Sequence, residues 1–352
     1  MNSYKRHLIL SGTPVKQALS ELDVLAKDAL LFVVDKEDRL LGSLSDGDIR
    51  RGLIQGLNVT DDVDQYIRKE PKSLNENDYT LQEIIEFRDR GIKILPLINS
   101  ERQVVDVINL HELKSYLPID VVIMAGGLGT RLKPLTDDVP KPLLKVGDRP
   151  IIDHMVGRLI RYGVTDFWIS VRYKAEMIEN HFAKTYSGSF NFDFLREDKP
   201  LGTIGSVSQV DAFKHDVVLV TNSDILTNLD YEDFYLSFIE SGADMAVASI
   251  PYEVKVPYAV LELENETVKD FKEKPTYTYY SNAGIYLIKR DVLKMIPKDQ
   301  FFNSTDLMEA LINQGGKVYS YPLRSYWLDI GKHEDYERAQ RDVYHLREER
   351  GG

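Results

Sequence analysis

The segment VVIMAGGLGTRLKPLTDDVPKPLL, from Val121 to Leu144, constrains the chain more than any other. Val121 to Met124 read as a buried parallel strand, because strands covered on both faces are apolar throughout. Gly126, Gly127 and Gly129 follow at once. Glycine tolerates positive φ and lets backbone N–H groups approach an anion closely. Arg131 and Lys141 then add fixed positive charge, with Lys141 held between Pro140 and Pro142. Guanidinium and ammonium groups beside such a loop suit a long, highly charged phosphate chain.

Two familiar phosphate loops do not fit. No G-x-x-x-x-G-K-[ST] string follows the strand. The dinucleotide fingerprint needs G-x-G-x-x-G opening a helix. Here the third glycine spacing fails and Lys133-Pro134 interrupts any helix. A nicotinamide dehydrogenase, the rival such a loop suggests, is disfavoured on that ground.

The chain has 352 residues, comfortable for two domains, and contains no cysteine. Disulfides and thiolate metal sites are thereby excluded, which fits a reducing compartment. No apolar run approaches the roughly eighteen residues of a membrane span. MNSYKRHLIL lacks the apolar core of a signal peptide. The expected location is the cytoplasm, without a membrane partner. A net charge of −12 argues against nucleic-acid binding, which needs a basic field, but leaves room for a local basic pocket.

The first third carries a repeat. ALLFVVDKEDRLLGSLSDGDI starts at Ala29, and KILPLINSERQVVDVINLHEL starts at Lys93, sixty-four positions later. Each predicts a strand (Leu31–Val34; Leu95–Ile98), a polar turn, a second strand (Leu40–Leu44; Val104–Ile108) and a polar segment opening a helix. A helical pattern precedes each: Val15, Ala18, Leu19 and Leu22, then Leu81, Ile84 and Ile85. Thr13-Pro14 predicts a threonine cap with proline at the first helical position. Residues 1–118 thus read as two helix–strand–strand–helix units, about 1–62 and 63–118. Leu117-Pro118 should end the last helix, since proline drives its predecessor into an extended conformation. So short a junction suggests that the two parts keep a defined relation.

This pair resembles the tandem CBS domain, a regulatory module, on pattern rather than on a sharp motif. The resemblance implies an α+β module that favours a homo-oligomer, and an adenine nucleotide as a candidate ligand. Ser45 and Asp48 in GSLSDGDIRR match the positions that hold the ribose. Asn109 and Glu112 occupy those places in the second repeat and depart from the pattern. The plainer reading is that Ser45 caps the helix containing Ile49 and Leu53; both readings stay open.

Residues 119–352 form the expected second domain, and nearly all of 119–340 resembles the sugar-1-phosphate nucleotidylyltransferases, the NDP-sugar pyrophosphorylases. The opening motif Gly-Gly-x-Gly-Thr-Arg with Pro-Lys-Pro matches without gaps, and four later segments agree in order. REDKPLGTIGSV resembles the nucleotide-base loop. DVVLVTNSD ends a strand in Asp224, with Ser223 where the family usually has glycine. FKEKP supplies Glu273 and Lys274, followed by Asn282 in SNAGIYLI. YWLDIGKHEDYERA supplies Asp329. The resemblance implies an α/β fold, a Rossmann-like α/β/α sandwich with a mixed, mostly parallel sheet. It implies nucleotide contacts from Ala125, Gly126, Gly127, Gly129, Thr130, Glu197, Gly202 and Thr203. Sugar contacts would come from Tyr258, Glu273 and Asn282. Mg²⁺ would be held by Asp224 and Asp329, and Arg131, Lys141 and Lys274 would serve the reacting phosphates. Taken singly, Asp224 also suits a helix cap and Lys274 a surface charge.

The implied reaction joins a nucleoside triphosphate to a sugar 1-phosphate and releases pyrophosphate. Such chemistry needs alignment and charge compensation more than covalent help. Glu197 offers acceptors only, and guanine presents two adjacent donors, N1–H and the 2-amino group. GTP is therefore favoured, with CTP, UTP and dTTP as alternatives. Pairing of Glu197 with Lys199 or Arg196 on the surface is the competing reading. The residues do not name the sugar; resemblance to enzymes of surface-glycan synthesis that carry a CBS pair implies a hexose or amino-hexose of the mannose or glucosamine type. No hexapeptide repeat follows, so no acyltransferase domain is expected. A catalytically inactive nucleotide-binding regulator remains the alternative of another class, although Arg131, Lys141, Asp224, Asp329 and Lys274 are all present.

Overall fold

The computed structural model describes residues 3–76, 78–186 and 190–348. The chain divides into two compact units. The first comprises Met1–Pro118 with Ile160–Thr165 and Tyr186–Phe190, and the second comprises the rest.

The first unit contains β1 (Leu8–Leu10), α1 (Val15–Leu25), β2 (Leu30–Val34), β3 (Leu40–Ser45), α2 (Asp46–Ile54), β4 (Arg68–Lys69), β5 (Leu74–Asn75), α3 (Leu81–Asp89), β6 (Ile94–Ile98) and β7 (Val104–Asn109). Two sheets form, ordered β1-β2-β3-β4 and β5-β6-β7. The repeat is physical as well as textual. β2 pairs antiparallel with β3, with a register shift between Val33 and Val34. β6 pairs antiparallel with β7, with the shift between Leu97 and Ile98, sixty-four positions on. Leu40 N–H donates to Arg102 O and Val104 N–H to Asp38 O, both at 2.9 Å. Arg39 and Gln103, equivalent positions, bridge directly. These reciprocal contacts make a local pseudo-twofold. Phe32, Val34 and Leu40 pack there with Ile94 and Val104 in a shared core.

Two expectations are corrected. Thr13 does not cap α1. Pro14 is extended (φ −62°, ψ 139°) and is itself the residue before the helix, which starts at Val15. The first helical N–H groups donate instead to Asp61 O and Val59 O, so no side-chain cap is needed. The second repeat also lacks its closing helix: residues 110–117 are turns and irregular chain. Ser45 and Asp48 form a reciprocal capping box on α2. At the matching place Asn109 accepts from His111 N–H at 2.9 Å, a turn contact, and Glu112 is drawn to Arg6 at 3.1 Å. With no reciprocal cap and Pro118 close behind, a helix there has neither a start nor room.

The second unit contains β8 (Ile119–Met124), α4 (Leu135–Asp138), β9 (Lys145–Val146), β10 (Arg149–Pro150), α5 (Ile151–Arg161), β11 (Asp166–Val171), α6 (Ala175–Thr185), β12 (Asn191–Arg196), β13 (Val217–Asn222), β14 (Ile225–Thr227), α7 (Tyr231–Ser241), β15 (Met245–Lys255), β16 (Val260–Glu264), β17 (Thr267–Lys272), β18 (Thr276–Lys289), α8 (Ser304–Asn313), β19 (Val318–Pro322), β20 (Trp327–Asp329) and α9 (His333–Glu348). α5 reaches two residues into the segment that clusters with the first unit. The central sheet has seven strands, ordered β12-β11-β8-β13-β18-β15-β19. Only β18 runs antiparallel to its neighbours, so the sheet is mixed and mostly parallel. Val121, Val122 and Ile123 are all fully buried, so β8 is covered on both faces. Val122 packs with Val218, Val220, Tyr286 and Leu307 of α8. Each such side chain contributes about 1.5–3 kcal/mol by leaving water.

β15 and β18 are buried only in part. Their outer halves extend beyond the sheet and, with the β16–β17 hairpin, form an exposed arm. Among the described residues, no helix is long and apolar enough to cross a membrane.

Candidate active site

The carboxyl ends of β8, β11, β12 and β13 open onto one cavity of about 310 Å³. Strand ends of a parallel sheet are where α/β folds gather ligands. Ala125, Gly126, Gly127, Lys141, Glu197, Gly202, Thr203 and Asp224 line it, all of them expected from the sequence.

The glycine loop leaves β8 with Ala125 N–H bonded to Ser170 O at 2.9 Å. A Cβ on Gly126 would stand 3.1 Å from Glu197 Oε1, so this glycine keeps the carboxylate accessible. Gly129 has φ +63°, and its carbonyl accepts from Thr136 Oγ1 at 2.9 Å. Thr130 and Arg131 lie in the short 3₁₀ turn that follows.

Glu197 is buried at 8% exposure. Ser170 Oγ donates to its Oε1 at 2.5 Å and Leu201 N–H to its Oε2 at 3.2 Å. The surface-pair reading is thereby overturned. Arg196 instead makes a two-point contact with Glu179, at 2.7 and 2.5 Å.

Gly202 has φ +81°, and a Cβ there would lie 2.4 Å from Phe302 O, so only glycine fits. Thr203 N–H donates to Asn303 Oδ1 at 3.2 Å, and Ser304 N–H donates to Thr203 Oγ1 at 2.9 Å. The loop is thus pinned to the start of α8.

Lys141, 9% exposed, forms a short ion pair with Oδ2 of Asp224. Asp224 precedes β14 and does not cap a helix. Its Oδ1 is buried with no hydrogen-bond partner among the described residues. β14 pairs with β20 so that Ile225 opposes Asp329, and Ile330 N–H donates to Asp224 O at 3.0 Å. The two carboxylates are thereby neighbours. Burial raises the Asp329 carboxyl above its usual range, and the charge of Asp224 raises it further. Lys141 and Arg131 oppose that shift. A Cβ on Gly331 would stand 3.5 Å from Asp329 Oδ2 and Asp335 Oδ2 and 3.6 Å from Arg131 Nη1, so these groups converge.

A profile described as nucleotidyl transferase matches residues 120–345. The chain belongs to that family. It is 30% identical to mannose-1-phosphate guanylyltransferase of Mycobacterium tuberculosis, over 64% of this chain and 64% of the relative. It is 29% identical to the D-glycero-alpha-D-manno-heptose 1-phosphate guanylyltransferase of Aneurinibacillus thermoaerophilus, over 64% of this chain and 99% of that one. The crystal structure of HddC from Yersinia pseudotuberculosis matches with a TM-score of 0.50 at 30% identity, covering 64% of this chain and 99% of that one. The chain spans less than two thirds of the length of the mannose-1-phosphate relatives it matches.

Nucleotidyl transferases typically use a divalent metal ion. The donor set here fits one. An orphaned, buried carboxylate oxygen on Asp224 stands beside the charge-penalised Asp329, and hard divalent cations take oxygen ligands.

The residues assigned to the sugar by resemblance are not gathered at the cavity. Tyr258 is 75% exposed, and Glu273 and Lys274 are exposed at the turn between β17 and β18. All three lie on the arm. Asn282 stands at its base, accepting from Gly284 N–H at 2.9 Å and donating to Tyr286 Oη at 2.8 Å. Tyr286 Oη in turn meets Ser304 Oγ at 2.8 Å, a chain that ends on the Thr203 loop.

Sequence reading missed Ser170, Arg172, Asn222 and Tyr286. Ser170 is an interior strand residue, and Tyr286 reads as core. Arg172 and Asn222 line the cavity but carry no motif of their own. Alternation along β11 gives one faint signal, since Ser170 and Arg172 are two residues apart at a strand end.

Proposed function

We propose that the protein transfers GMP from GTP to a sugar 1-phosphate, giving a GDP-sugar and pyrophosphate. One observation carries the reading: a buried, acceptor-only carboxylate, Glu197, is aimed into the nucleotide cavity by Ser170 and Leu201. Guanine is the base with two adjacent donors for it. The guanylyltransferase relatives support the same choice.

An oxygen of the sugar phosphate attacks the α-phosphorus of GTP. The new P–O bond forms as the bond to the β-phosphate bridging oxygen breaks, and pyrophosphate leaves with the electron pair. The attacking phosphate is already ionised, so no general base and no covalent enzyme intermediate are needed. The glycine loop and Arg131 compensate the charge of the departing pyrophosphate. Lys141 holds the reacting phosphates in line, and Lys274, on the arm, reaches the sugar phosphate. Mg²⁺ held by Asp224 and Asp329 would supply further charge compensation. Tyr258, Glu273 and Asn282 contact sugar hydroxyls. The sugar is a hexose or amino-hexose of the mannose or glucosamine type, or a manno-heptose as in the Aneurinibacillus relative.

The first unit acts as a tandem CBS module. Its pseudo-twofold supports that reading. Ser45 and Asp48, bonded to each other at 2.5 Å, are the candidate contacts for an adenine nucleotide. A cytoplasmic homo-oligomer completes the proposal.

The test is pyrophosphate release with Mg²⁺ across GTP, CTP, UTP and dTTP against a panel of hexose, amino-hexose and heptose 1-phosphates. GTP-dependent release supports the reading and names the sugar. Release with a pyrimidine nucleotide alone overturns the base assignment. No release from protein that still binds nucleotide favours the inactive regulator.

A further inference from the structure

Arg172 lines the same cavity as Glu197. Its Nε is buried without a hydrogen-bond partner, and the side chain makes no ion pair with any described residue. A buried donor without an acceptor is costly. Such an arrangement is expected where a ligand brings the acceptor.

Position decides which part of the ligand. Arg172 follows the last residue of β11, and Glu197 follows the last residue of β12. Val171 and Arg196 are register partners, and Glu197 N–H donates to Val171 O at 3.0 Å. The two residues therefore stand one step beyond the same rung, on adjacent parallel strands. Arg131 and Lys141 belong to a different group, beside Asp224 and Asp329. Arg172 accompanies the carboxylate rather than the cations of the phosphate end.

We infer that Arg172 reads the O6/N7 edge of guanine while Glu197 reads its N1–H and 2-amino edge. The inference rests on the guanine reading above. A guanidinium is a donor-only planar fork and matches two adjacent acceptors. Adenine would turn its 6-amino donor toward Arg172 and its N1 acceptor toward Glu197, two like-with-like contacts. A pyrimidine has no N7. The pair therefore selects guanine from both directions, and Arg172 is a specificity residue.

The test uses steady-state kinetics of the full chain with GTP, 7-deaza-GTP and ITP, for the wild type, Arg172→Met and Arg172→Lys. Thermal melting confirms folding of each variant. Wild type should show a KM for 7-deaza-GTP about tenfold above that for GTP, the scale of one charge-assisted hydrogen bond. Arg172→Met should raise the KM for GTP further, by about a hundredfold, because O6 and N7 both lose their donor, and should no longer distinguish 7-deaza-GTP. Its preference for GTP over ITP, which lacks only the 2-amino group, should persist because Glu197 is intact. Arg172→Lys should recover only part, since it keeps the charge and loses the fork. Equal weakening of GTP and 7-deaza-GTP in Arg172→Met would place the arginine on the phosphates and overturn the inference. So would a wild type indifferent to N7. A wild type that uses only a pyrimidine nucleotide overturns the guanine reading along with it, a result distinct from either of those.

Discussion

Ser170 donates its hydroxyl to Oε1 of Glu197 at 2.5 Å, and both side chains are buried. Neither is near the other in sequence; adjacent parallel strands bring them together. The hydroxyl fixes where the carboxylate points. Ser170→Ala should therefore raise the KM for GTP several-fold while leaving kcat close to wild type. The stability loss should be about 1–3 kcal/mol, for a buried charged acceptor losing one of its donors. Initial rates at varied GTP check this, and a fall in kcat alone would contradict it.

Asp224 is held by Lys141 on one oxygen and leaves the other bare. Asp224→Asn should cut turnover by about a hundredfold or more, as loss of a charge-compensating group does. It should also abolish any Mg²⁺-dependent rise in Tm. Retained Mg²⁺ stabilisation in this variant would remove Asp224 from the metal site.

Two glycines with the same backbone twist make a matched comparison. Gly12 has φ +79° and nothing within 4 Å of a new Cβ, whereas Gly202 has φ +81° and Phe302 O at 2.4 Å. Gly12→Ala should cost about 1–2 kcal/mol, the conformational penalty alone. Gly202→Ala should cost roughly 3 kcal/mol or more, because the clash is with backbone. Only Gly202→Ala should also weaken GTP. Chemical denaturation of both variants provides the comparison.

Burial pushes the Asp120 carboxyl up to about 6, and it pushes His215 down to about 4. The signs oppose. Asp120 favours its protonated form in the fold, so its contribution is lost as pH rises from about 4 through 6. His215 favours its neutral form, so its contribution is lost as pH falls from 6.5 toward 4. Asp120→Asn keeps an acceptor for His215 N–H, which donates to Oδ2 at 2.7 Å. It should be more stable than wild type at pH 8, by up to ~3 kcal/mol. The difference should vanish near pH 4. Urea midpoints across that range decide it; a less stable Asn variant at pH 8 would mean the charged carboxyl is satisfied.

Exposed arm residues predict a different pattern. Lys274→Ala and Tyr258→Ala should raise the KM for the sugar 1-phosphate, leave the KM for GTP alone, and shift stability by less than about 0.5 kcal/mol. A large Tm loss would show that the arm is structural.

Much of the candidate site was legible because its residues travel together along the chain. The strand into Gly126, the Gly202 loop and the β13 carboxylate each announce themselves within a dozen residues. The repeat was legible down to its strand pairs because alternation and turn chemistry are local. What could not be read depends on partners distant in sequence. Thr13 lost its role because Asp61 O and Val59 O serve the helix start. The last helix of the second repeat fails because Asn109 turns to His111 N–H while Glu112 bonds Arg6, leaving no reciprocal cap ahead of Pro118. Ser170 and Arg172 acquire meaning only when β11 lies beside β12. The exposure of Tyr258 was hidden too, since it depends on β15 and β18 running on past their other neighbours in the sheet.

The division of β18 has an evolutionary consequence. Ala283 to Ile288 are buried, while the strand from Thr276 to Asn282 is mostly exposed. One half is bound by packing, and the other is almost free of it. If the arm holds the sugar as proposed, changes on it can accumulate under selection for a new sugar at little risk to folding. On the proposed reading the base end has no such latitude, since Ser170 and Leu201 pin Glu197 and Gly202 abuts Phe302. A lineage built on this scaffold would be expected to diversify its acceptor while keeping its nucleotide.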